Sequence, residues 1–305
     1  MRYSVPISVV MPCYNYGKYV SEAIQSILKQ SFADFEFIIV DDGSKDNSSH
    51  EIKAHVDDRI IFVPLKENKG NYYARNIGMR LAKGKYVCVM DADDISYPQR
   101  LAVQYNYLEK HPKMGAIGSW AEYIDENGLL TGRPMNSLTE PWEKLKVFLL
   151  MNNYFIHPTI MFRSYLLHKH HLFYNEKYKF ASDFDFISRF SLVSPVCNMG
   201  EVLVKYRIHS AQITTEKNIL QNQYADQIRL AQLKKFNIKL TKQEKNAYLF
   251  LMKGNLLENK QELEFGMNVL NKVLSRNHKL KLYNQQLLYD FFDYIVSLAH
   301  EKMQT

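Results

Sequence analysis

The chain has 305 residues, of which 46% are hydrophobic and 23% are charged. These are the fractions of a globular protein, and they exclude a disordered chain or a collagen-like repeat. The formal net charge is +7, but no basic segment carries a recognisable nucleic-acid-binding motif, so nucleic acid is not expected as a partner.

The apolar segments of the sequence do not resemble membrane spans or a signal peptide. Val5 to Cys13 contains two prolines and lacks a small-residue cleavage site. The most apolar stretch, Val147 to Ile160, is interrupted by Asn152, Asn153 and His157, whereas a spanning helix needs about 18 consecutive apolar residues. Three cysteines are too few for a disulfide framework and are not spaced for zinc. We therefore expect a soluble, cytoplasmic protein.

The first two thirds of the chain alternates strand and helix patterns. Continuous apolar runs predict four buried strands, at Ile7–Met11, Phe35–Val40, Arg59–Val63 and Tyr86–Met90. Apolar residues at helical spacing follow the first run, from Val20 to Leu28, and the third run, from Ala74 to Leu81. Repetition of this kind builds a parallel sheet covered by helices on both faces. The predicted fold class is α/β.

The middle of the chain continues the α/β pattern, and the last third has a different character. In the middle, Asn127-Gly128 predicts a turn, a helical pattern starts near Pro141, and Thr159 to Phe162 predicts another strand. After Thr215 the strand patterns stop, and long helical periods predict three or four helices. These helices are expected to pack on the main domain or to form a small bundle.

The basic excess lies in this helical tail. Between Ala211 and Thr305, 14 Lys and Arg residues face 9 Asp and Glu residues. A solvated helix surface explains such an excess, and so does a surface that attracts anionic lipid headgroups or an anionic substrate. Three roles for the tail remain open: packing on the main domain, contact between the subunits of a homodimer, and peripheral contact with an anionic membrane.

Polar residues follow three of the predicted strands. The first strand runs into Pro12-Cys13-Tyr14-Asn15, the second into Asp41-Asp42-Gly43-Ser44, and the fourth into Asp91-Ala92-Asp93-Asp94. Ligands of open α/β sheets bind beyond the carboxyl ends of the strands, and neighbouring aspartates repel one another unless a cation joins them. Turn formation explains one such acidic cluster but not two in a single sheet. The pattern predicts Mg²⁺ or Mn²⁺, shared with substrate phosphates.

Two common nucleotide-binding loops are absent from the sequence. No Gly-x-Gly-x-x-Gly follows the first strand, and there is no Gly-x-x-x-x-Gly-Lys-Ser/Thr segment. Dinucleotide dehydrogenases and P-loop enzymes are therefore poor candidates, and a phosphate is expected to be held through a metal rather than a glycine loop.

Five motifs in order resemble the family 2 glycosyltransferases. They are Val9 to Asn15, Ile24 to Gln30, Val40 to Ser44, Asn68 to Gly78, and Val89 to Asp94. The order and spacing match over residues 5–101, and a looser match continues to about residue 212. The resemblance implies a glycosyltransferase A-type fold and inverting transfer from a nucleotide diphosphate sugar, usually a UDP-sugar, with a divalent metal.

The resemblance also implies a domain organisation and a class of acceptor. Residues 1–215 would form the catalytic domain, with a nucleotide-sugar half at 1–100 and an acceptor half at 101–215. Residues 216–305 would form the helical region. The implied acceptor is a lipid-linked or growing glycan in cell-surface polysaccharide synthesis.

The resemblance also implies which residues would bind the sugar donor and the metal. Tyr14 would lie against the nucleotide base above Pro12, Asp42 would accept a hydrogen bond from a base ring nitrogen, and Arg75 would approach the nucleotide or form a structural salt bridge. Asp91 would face the ribose and the metal, and Asp93 would ligate the metal that bridges to the diphosphate. Three further residues complete the implied set: Asn15 and Ala92 on the donor side, and His209 near the metal.

Inverting transfer needs a base that deprotonates the acceptor hydroxyl. The family places an acid at the start of a helix after the acceptor loops, and Ala181 to Ile187 matches that context. Asp183 is the predicted base and Asp185 the reserve, although Ser182 stands where the family more often has Glu. His157 is expected to border the acceptor pocket.

Two other functions are compatible with parts of the pattern. A phosphatase of the haloacid dehalogenase type also carries Asp-x-Asp after a strand, but it normally continues with Gly-Thr or Gly-Val, where this chain has Asp94-Ile95. It would also leave the Tyr14 and Asp42 loops without a role. The second alternative is an inactive, glycosyltransferase-like scaffold, which the complete set of acids argues against.

Overall fold

The computed structural model describes residues 3–209, 218–254 and 259–304. Its N-terminal half is a parallel sheet with the strand order β3-β2-β1-β4. These strands span Val5–Cys13 (β1), Phe35–Asp41 (β2), Ile60–Pro64 (β3) and Gly84–Val89 (β4). The intervening helices span Val20–Leu28 (α1), Ser48–Lys53 (α2) and Asn71–Leu81 (α3). The predicted strand-helix alternation is confirmed.

Side chains of these strands point alternately to two apolar layers. Val9 and Ile39 lie in the layer that contains α1, whereas Val10 and Val40 lie in the layer that contains α3. Gly78 of α3 lies so close to the sheet that a Cβ there would be 2.5 Å from Cγ1 of Val10. A strand covered on both faces needs apolar residues at every position, which is why the runs are continuous rather than alternating.

The second half of the domain extends the sheet with mixed pairing. The additional strands span Ile95–Ser96 (β5), Ala116–Ile124 (β6), Leu130–Met135 (β7), Met161–Arg163 (β8) and Val196–Arg207 (β9). β8 runs antiparallel to β4 and to β6, whereas β6 and β9 are parallel. The helices here span Arg100–Lys110 (α4), Trp142–Phe148 (α5), Ser164–His170 (α6) and Ser182–Phe190 (α7).

One predicted strand differs from the structure. The segment predicted as a strand at Thr159–Phe162 begins inside a short 3₁₀ helix, His157–Thr159, and the strand itself is only Met161–Arg163. Pro158 has a fixed φ and no N–H to donate to a sheet, so it favours the turn over the strand. The turn faces the carboxyl end of β4.

The C-terminal helices form a bundle that shares its core with the α/β part of the chain. They span Asn218–Leu233 (α8), Lys242–Lys253 (α9), Lys260–Leu280 (α10) and Gln285–Gln304 (α11). Val147 of α5 and Leu150 pack in the same apolar cluster as Tyr248 and Leu288. The predicted helical region is confirmed, while the boundary predicted at residue 215 lies outside the described residues. No helix in the described ranges is long and apolar enough to cross a bilayer.

Candidate active site

A cleft of about 840 Å³ opens at the carboxyl ends of β1, β2 and β4. The 3₁₀ turn and the start of α7 line its other side. Most of the predicted site residues line it, namely Pro12, Tyr14, Asn15, Asp42, Asp91, Ala92, Asp93 and Asp183. The fold therefore brings together acids that are up to 141 residues apart in the sequence. Arg75 and His209 lie outside the cleft wall that the described residues form.

The loop after β1 is held in a left-handed turn. Asn15 has a φ of +56°, a conformation that Asn tolerates better than most residues. Its N–H donates to Oγ of Ser44 over 3.0 Å, and its Oδ1 accepts the N–H of Lys45 over 2.8 Å. These bonds join the loops after β1 and β2, and Tyr14 remains 39% exposed on the cleft.

Asp42 connects the loop after β2 to the start of α3. Its two carboxylate oxygens accept the N–H groups of Lys69 and Gly70, each over 2.8 Å. Gly70 has a φ of +103°, a conformation that strongly favours glycine. Burial raises the pKa of Asp42 above its ordinary value, although both backbone hydrogen bonds oppose this shift. Each oxygen has a second lone pair available to a ligand in the cleft.

Three aspartates form an acidic cluster after β4. Asp93 and Asp94 are buried, whereas the side chain of Asp91 is 26% exposed. Burial raises the pKa of Asp93, and the neighbouring charge of Asp91 adds to the shift. Burial and the charges of Asp93 and Asp91 together raise the pKa of Asp94 well above its usual range. Oδ2 of Asp94 has no hydrogen-bond partner among the described residues. Such a cluster is electrostatically unfavourable unless a cation joins it.

Asp91 is stabilised in its charged form by a buried arginine. Arg75 is fully buried, and its Nη2 forms an ion pair with Oδ1 of Asp91. Burial tends to raise the pKa of Asp91, but the positive charge of Arg75 outweighs it, and the pKa lies below the ordinary value. Of the two roles expected for Arg75, the structure contains the salt bridge. A direct contact of Arg75 with a nucleotide stays a prediction.

Asp93 and the loop around it are fixed by the end of β9. Nε2 of His209 lies 3.0 Å from Oδ2 of Asp93. Arg207 is buried, donates from Nε to the carbonyl of Asp93 over 2.7 Å, and forms an ion pair with Glu22 of α1. Two of the side chains that carry the metal prediction, Asp93 and His209, are thus in contact, although the role of His209 as a metal ligand stays a prediction.

The acidic cluster fits a divalent ion that is also bound by phosphate. No group of three or more His, Cys, Asp and Glu side chains converges as a metal cage within the described ranges. Asp91 and Asp93 nevertheless lie side by side on the cleft wall, and their hard oxygen ligands suit Mg²⁺ or Mn²⁺. Mg²⁺ is typically bound through one or two carboxylates plus substrate phosphates, which matches this arrangement.

Asp183 lies at the start of α7 and faces the cleft. Its Oδ1 accepts the hydroxyl of Tyr72 over 3.1 Å, and its Oδ2 accepts Nδ2 of Asn153 over 2.8 Å. The reserve candidate, Asp185, points away and pairs with Arg189 over 2.7 Å. Of the two acids in the first turn of α7, Asp183 is therefore the one on the cleft wall.

His157 lines the cleft and is hydrogen-bonded to Tyr174 behind it. Nε2 of His157 lies 2.8 Å from the hydroxyl of Tyr174, and the ring of Tyr174 stacks on Tyr72 with centroids 5.3 Å apart. Burial, assisted by the charge of Arg75, lowers the pKa of His157 to about 4. His157 is therefore neutral near pH 7, and it lines the cleft as expected.

Sequence reasoning did not identify Tyr72, Asn153 or Arg207. The sequence contains one indication of a role for Asn153, because this polar residue interrupts the most apolar stretch of the chain and follows Asn152, which is exposed. A polar residue in such a stretch is unfavourable unless it is bonded. Tyr72 and Arg207 carried no local signal, because their partners are 111 and 114 residues away.

Comparison with known proteins identifies the family. The sequence model of glycosyl transferase family 2 matches residues 8–172, more than half of the chain. The chain belongs to the family 2 glycosyltransferases. A glycosyltransferase of Rickettsia prowazekii is 30% identical over 298 residues, which cover 97% of this chain and 90% of the relative. Membership of this family removes the phosphatase alternative.

Solved glycosyltransferase structures share the fold of this chain. TarS of S. aureus in complex with UDP-GlcNAc is 19% identical with a TM-score of 0.64, over 98% of this chain and 92% of that one. The mannosyltransferase PcManGT of Pyrobaculum calidifontis, in complex with GDP-Man and Mn²⁺, is 18% identical with a TM-score of 0.59, over 98% and 87%. The predicted glycosyltransferase A-type fold, followed by a helical region, is confirmed.

Proposed function

We propose that this family 2 glycosyltransferase is a metal-dependent, inverting enzyme that uses a nucleotide diphosphate sugar, with UDP-sugars as the first candidates. The observation that carries the proposal is the single cleft that holds Asp42 and the Asp91/Asp93 pair on one wall and Asp183 on the other. UDP-GlcNAc and GDP-Man in the complexes of TarS and PcManGT support this class of donor.

The donor would occupy the side of the cleft formed by the loops after β1 and β2. Tyr14 is exposed there and offers an aromatic face to a base. Asp42 offers carboxylate lone pairs to a ring N–H of that base. The diphosphate would then lie toward Asp91 and Asp93, which would bind it together with a divalent ion.

The bound ion would supply charge stabilisation to the diphosphate as the glycosidic bond to the sugar breaks. Asp91 and Asp93 would hold it, and Mn²⁺ in the PcManGT complex supports its inclusion. Arg75 keeps Asp91 ionised, and His209 and Arg207 fix Asp93. Two carboxylates would then lie at the diphosphate end of the cleft.

Asp183 would act as the base for the acceptor. The acceptor hydroxyl oxygen forms a bond to the anomeric carbon while the bond from that carbon to the diphosphate breaks. The bonding pair leaves with the diphosphate oxygen, and the hydroxyl proton passes to a carboxylate oxygen of Asp183. Attack from the face opposite the leaving group inverts the anomeric configuration. Asp183 suits this role because it borders the cleft, whereas Asp185 is paired with Arg189.

The acceptor would be a glycan or a lipid-linked glycan, in keeping with cell-surface polysaccharide synthesis. The acceptor side of the cleft carries Phe155, Phe180 and Tyr206 next to Glu176 and Lys179. Aromatic faces with nearby polar groups suit sugar rings. The basic C-terminal helices would place the enzyme on an anionic membrane surface that carries such an acceptor.

A donor panel tests the proposed function directly. Purified protein with Mn²⁺ is incubated with UDP-GlcNAc, UDP-glucose, UDP-galactose and GDP-mannose, and release of the nucleoside diphosphate is measured with and without candidate glycan acceptors. We expect release from at least one donor and its loss in Asp93→Asn. Binding of UDP without turnover of any donor would instead favour the inactive scaffold.

A further inference from the structure

Both oxygens of the Asp183 carboxylate are bound by neutral donors from different parts of the chain. Tyr72 belongs to the first turn of α3 in the donor half, and its hydroxyl lies 3.1 Å from Oδ1. Asn153 belongs to the loop after α5 in the acceptor half, and its Nδ2 lies 2.8 Å from Oδ2. Two donors from two directions leave the carboxylate little rotational freedom about its terminal torsion.

Tyr72 is held as a proton donor. Its side chain is 9% exposed, and burial followed by the charge of Asp183 raises its pKa well above the ordinary value. The phenol therefore remains protonated, and its proton is directed to Asp183. Stacking of its ring on Tyr174, which stacks in turn on Phe186 of α7, fixes the direction of the hydroxyl.

Asn153 is oriented by its own loop. Its Oδ1 accepts the N–H of Phe155 over 3.0 Å, so the amide nitrogen is the atom that faces Asp183. The loop is anchored to the C-terminal bundle, because Arg229 of α8 donates from Nε to the carbonyl of Met151 over 2.7 Å. The helical region thus supports the segment that carries Asn153.

We propose that Tyr72 and Asn153 are positioning residues for the transfer reaction, which hold the Asp183 carboxylate aimed at the acceptor hydroxyl. The proposal deepens the proposed function and rests on it. Each donor binds a different oxygen of the carboxylate, so the two together fix its orientation. Loss of either donor should therefore leave the base less well aimed and lower kcat without weakening donor binding.

Other polar side chains lie around Asp183. His157 and Tyr174 interact with the Asp183 charge. Glu176 and Lys179 line the same cleft from the loop before α7. None of them is altered in the variants below, so a difference in kcat between variants reports the two donors.

The test compares Tyr72→Phe and Asn153→Ala with wild type, using the donor that turns over in the panel and Mn²⁺. Tyr72→Phe keeps the stacked ring and removes only the hydroxyl. We expect kcat to fall about tenfold in each variant, because a hydrogen bond to a charged group is lost. Donor KM and UDP affinity should stay nearly unchanged, because a loss confined to kcat is expected of residues that act through the base.

A double-mutant cycle separates positioning from a general structural effect. In an Asp183→Asn background, removal of either donor should cause little further loss, since both act through the carboxylate. Tyr165→Phe and Asn152→Ala are matched controls on exposed positions, and both should behave as wild type. Melting temperatures identify unfolded variants, and Asn153→Ser replaces Asn153→Ala if that variant unfolds.

Two results would overturn the assignment. Folded variants with unchanged kcat would show that the donors do not serve the base. Equal losses in the Asp183→Asn background would show that they act elsewhere. If the wild-type chain turns over no donor, the proposed function itself fails, and that outcome is distinct because it appears before any variant is made.

Discussion

Arg189 donates from Nε to Oδ2 of Asp185 over 2.7 Å, one turn along α7. This ion pair separates the two candidate bases, because Asp185 is held by Arg189 away from the cleft, whereas Asp183 lines it. Within the described residues, Asp183 accepts hydrogen bonds from the neutral donors Tyr72 and Asn153. The helix thus assigns one acid to structure and the other to the site.

Asp183→Asn should abolish most of the transfer while leaving donor binding intact. The amide keeps the shape of the side chain but accepts no proton, so kcat should fall by about 10²-fold or more. UDP affinity, measured by calorimetry, should stay within about twofold of wild type. Asp185→Asn is the matched control. We expect it to lower the stability of the protein, because it removes the ion pair with Arg189, and to retain activity. A dead Asp185→Asn beside an active Asp183→Asn would move the base to Asp185.

UDP should bind tightly only with a divalent cation. Without one, the Asp91/Asp93 pair faces the diphosphate with like charge. Calorimetry in Mn²⁺ and then in EDTA should give a dissociation constant at least about tenfold weaker in EDTA, and Asp93→Asn should lose most of the Mn²⁺ dependence. Equal affinities in Mn²⁺ and EDTA would contradict the metal role.

His157 should make the protein less stable in mild acid. Its folded pKa of about 4 lies below the unfolded value near 6.5, so the unfolded chain binds a proton first as the pH falls. The free energy of unfolding should therefore drop by about 2 kcal/mol from this residue between about pH 7.5 and about pH 5. Urea unfolding should show a correspondingly smaller loss in the free energy of unfolding of His157→Gln over the same pH range.

The control for this prediction is the exposed His278. His278→Gln should lose as much stability in acid as wild type does. Identical pH dependence in His157→Gln and wild type would mean that His157 does not carry the effect.

Full-length protein should sediment with anionic vesicles more than with neutral ones, and salt should weaken the binding. Each basic residue near such a surface contributes about 1 kcal/mol to the free energy of membrane binding. Dissolved salt screens the charges and so weakens that attraction. The double variant Lys279→Glu with Lys281→Glu, at exposed positions near the end of α10, should bind less. Its matched control is Lys110→Glu with Lys113→Glu, exposed residues of the catalytic domain.

Binding that ignores lipid charge, or an equal loss in the two double variants, would contradict a membrane role for the tail. A chain ending near Thr215 is unsuitable for this test. The C-terminal helices share an apolar core with Val147 and Leu150 of the catalytic domain, so their removal exposes apolar surface that binds lipid non-specifically.

The sequence alone was sufficient for the four strands β1 to β4, their order along the chain and most of the residues on their side of the cleft. It did not predict β5, β6, β7 or β9. A strand buried on both faces must be apolar throughout, and the residues that follow it in sequence lie at its carboxyl end. The sequence alone therefore predicts one shared edge of the sheet for Pro12 to Asn15, Asp42 and Asp91 to Asp93, because each segment directly follows a parallel strand. The cleft confirms that they meet.

Only the tertiary structure determines which side chains contact the aspartates of the cleft. Tyr72 reaches Asp183 across 111 residues, and Arg207 reaches the carbonyl of Asp93 across 114. Whether Arg75 faces a ligand or pairs with Asp91 likewise depended on its burial, which no local pattern determines. Hydrogen bonds and ion pairs require particular distances and directions, and these arise only when distant segments pack together. Periodicity records which face of an element is buried, but not which side chain lies opposite.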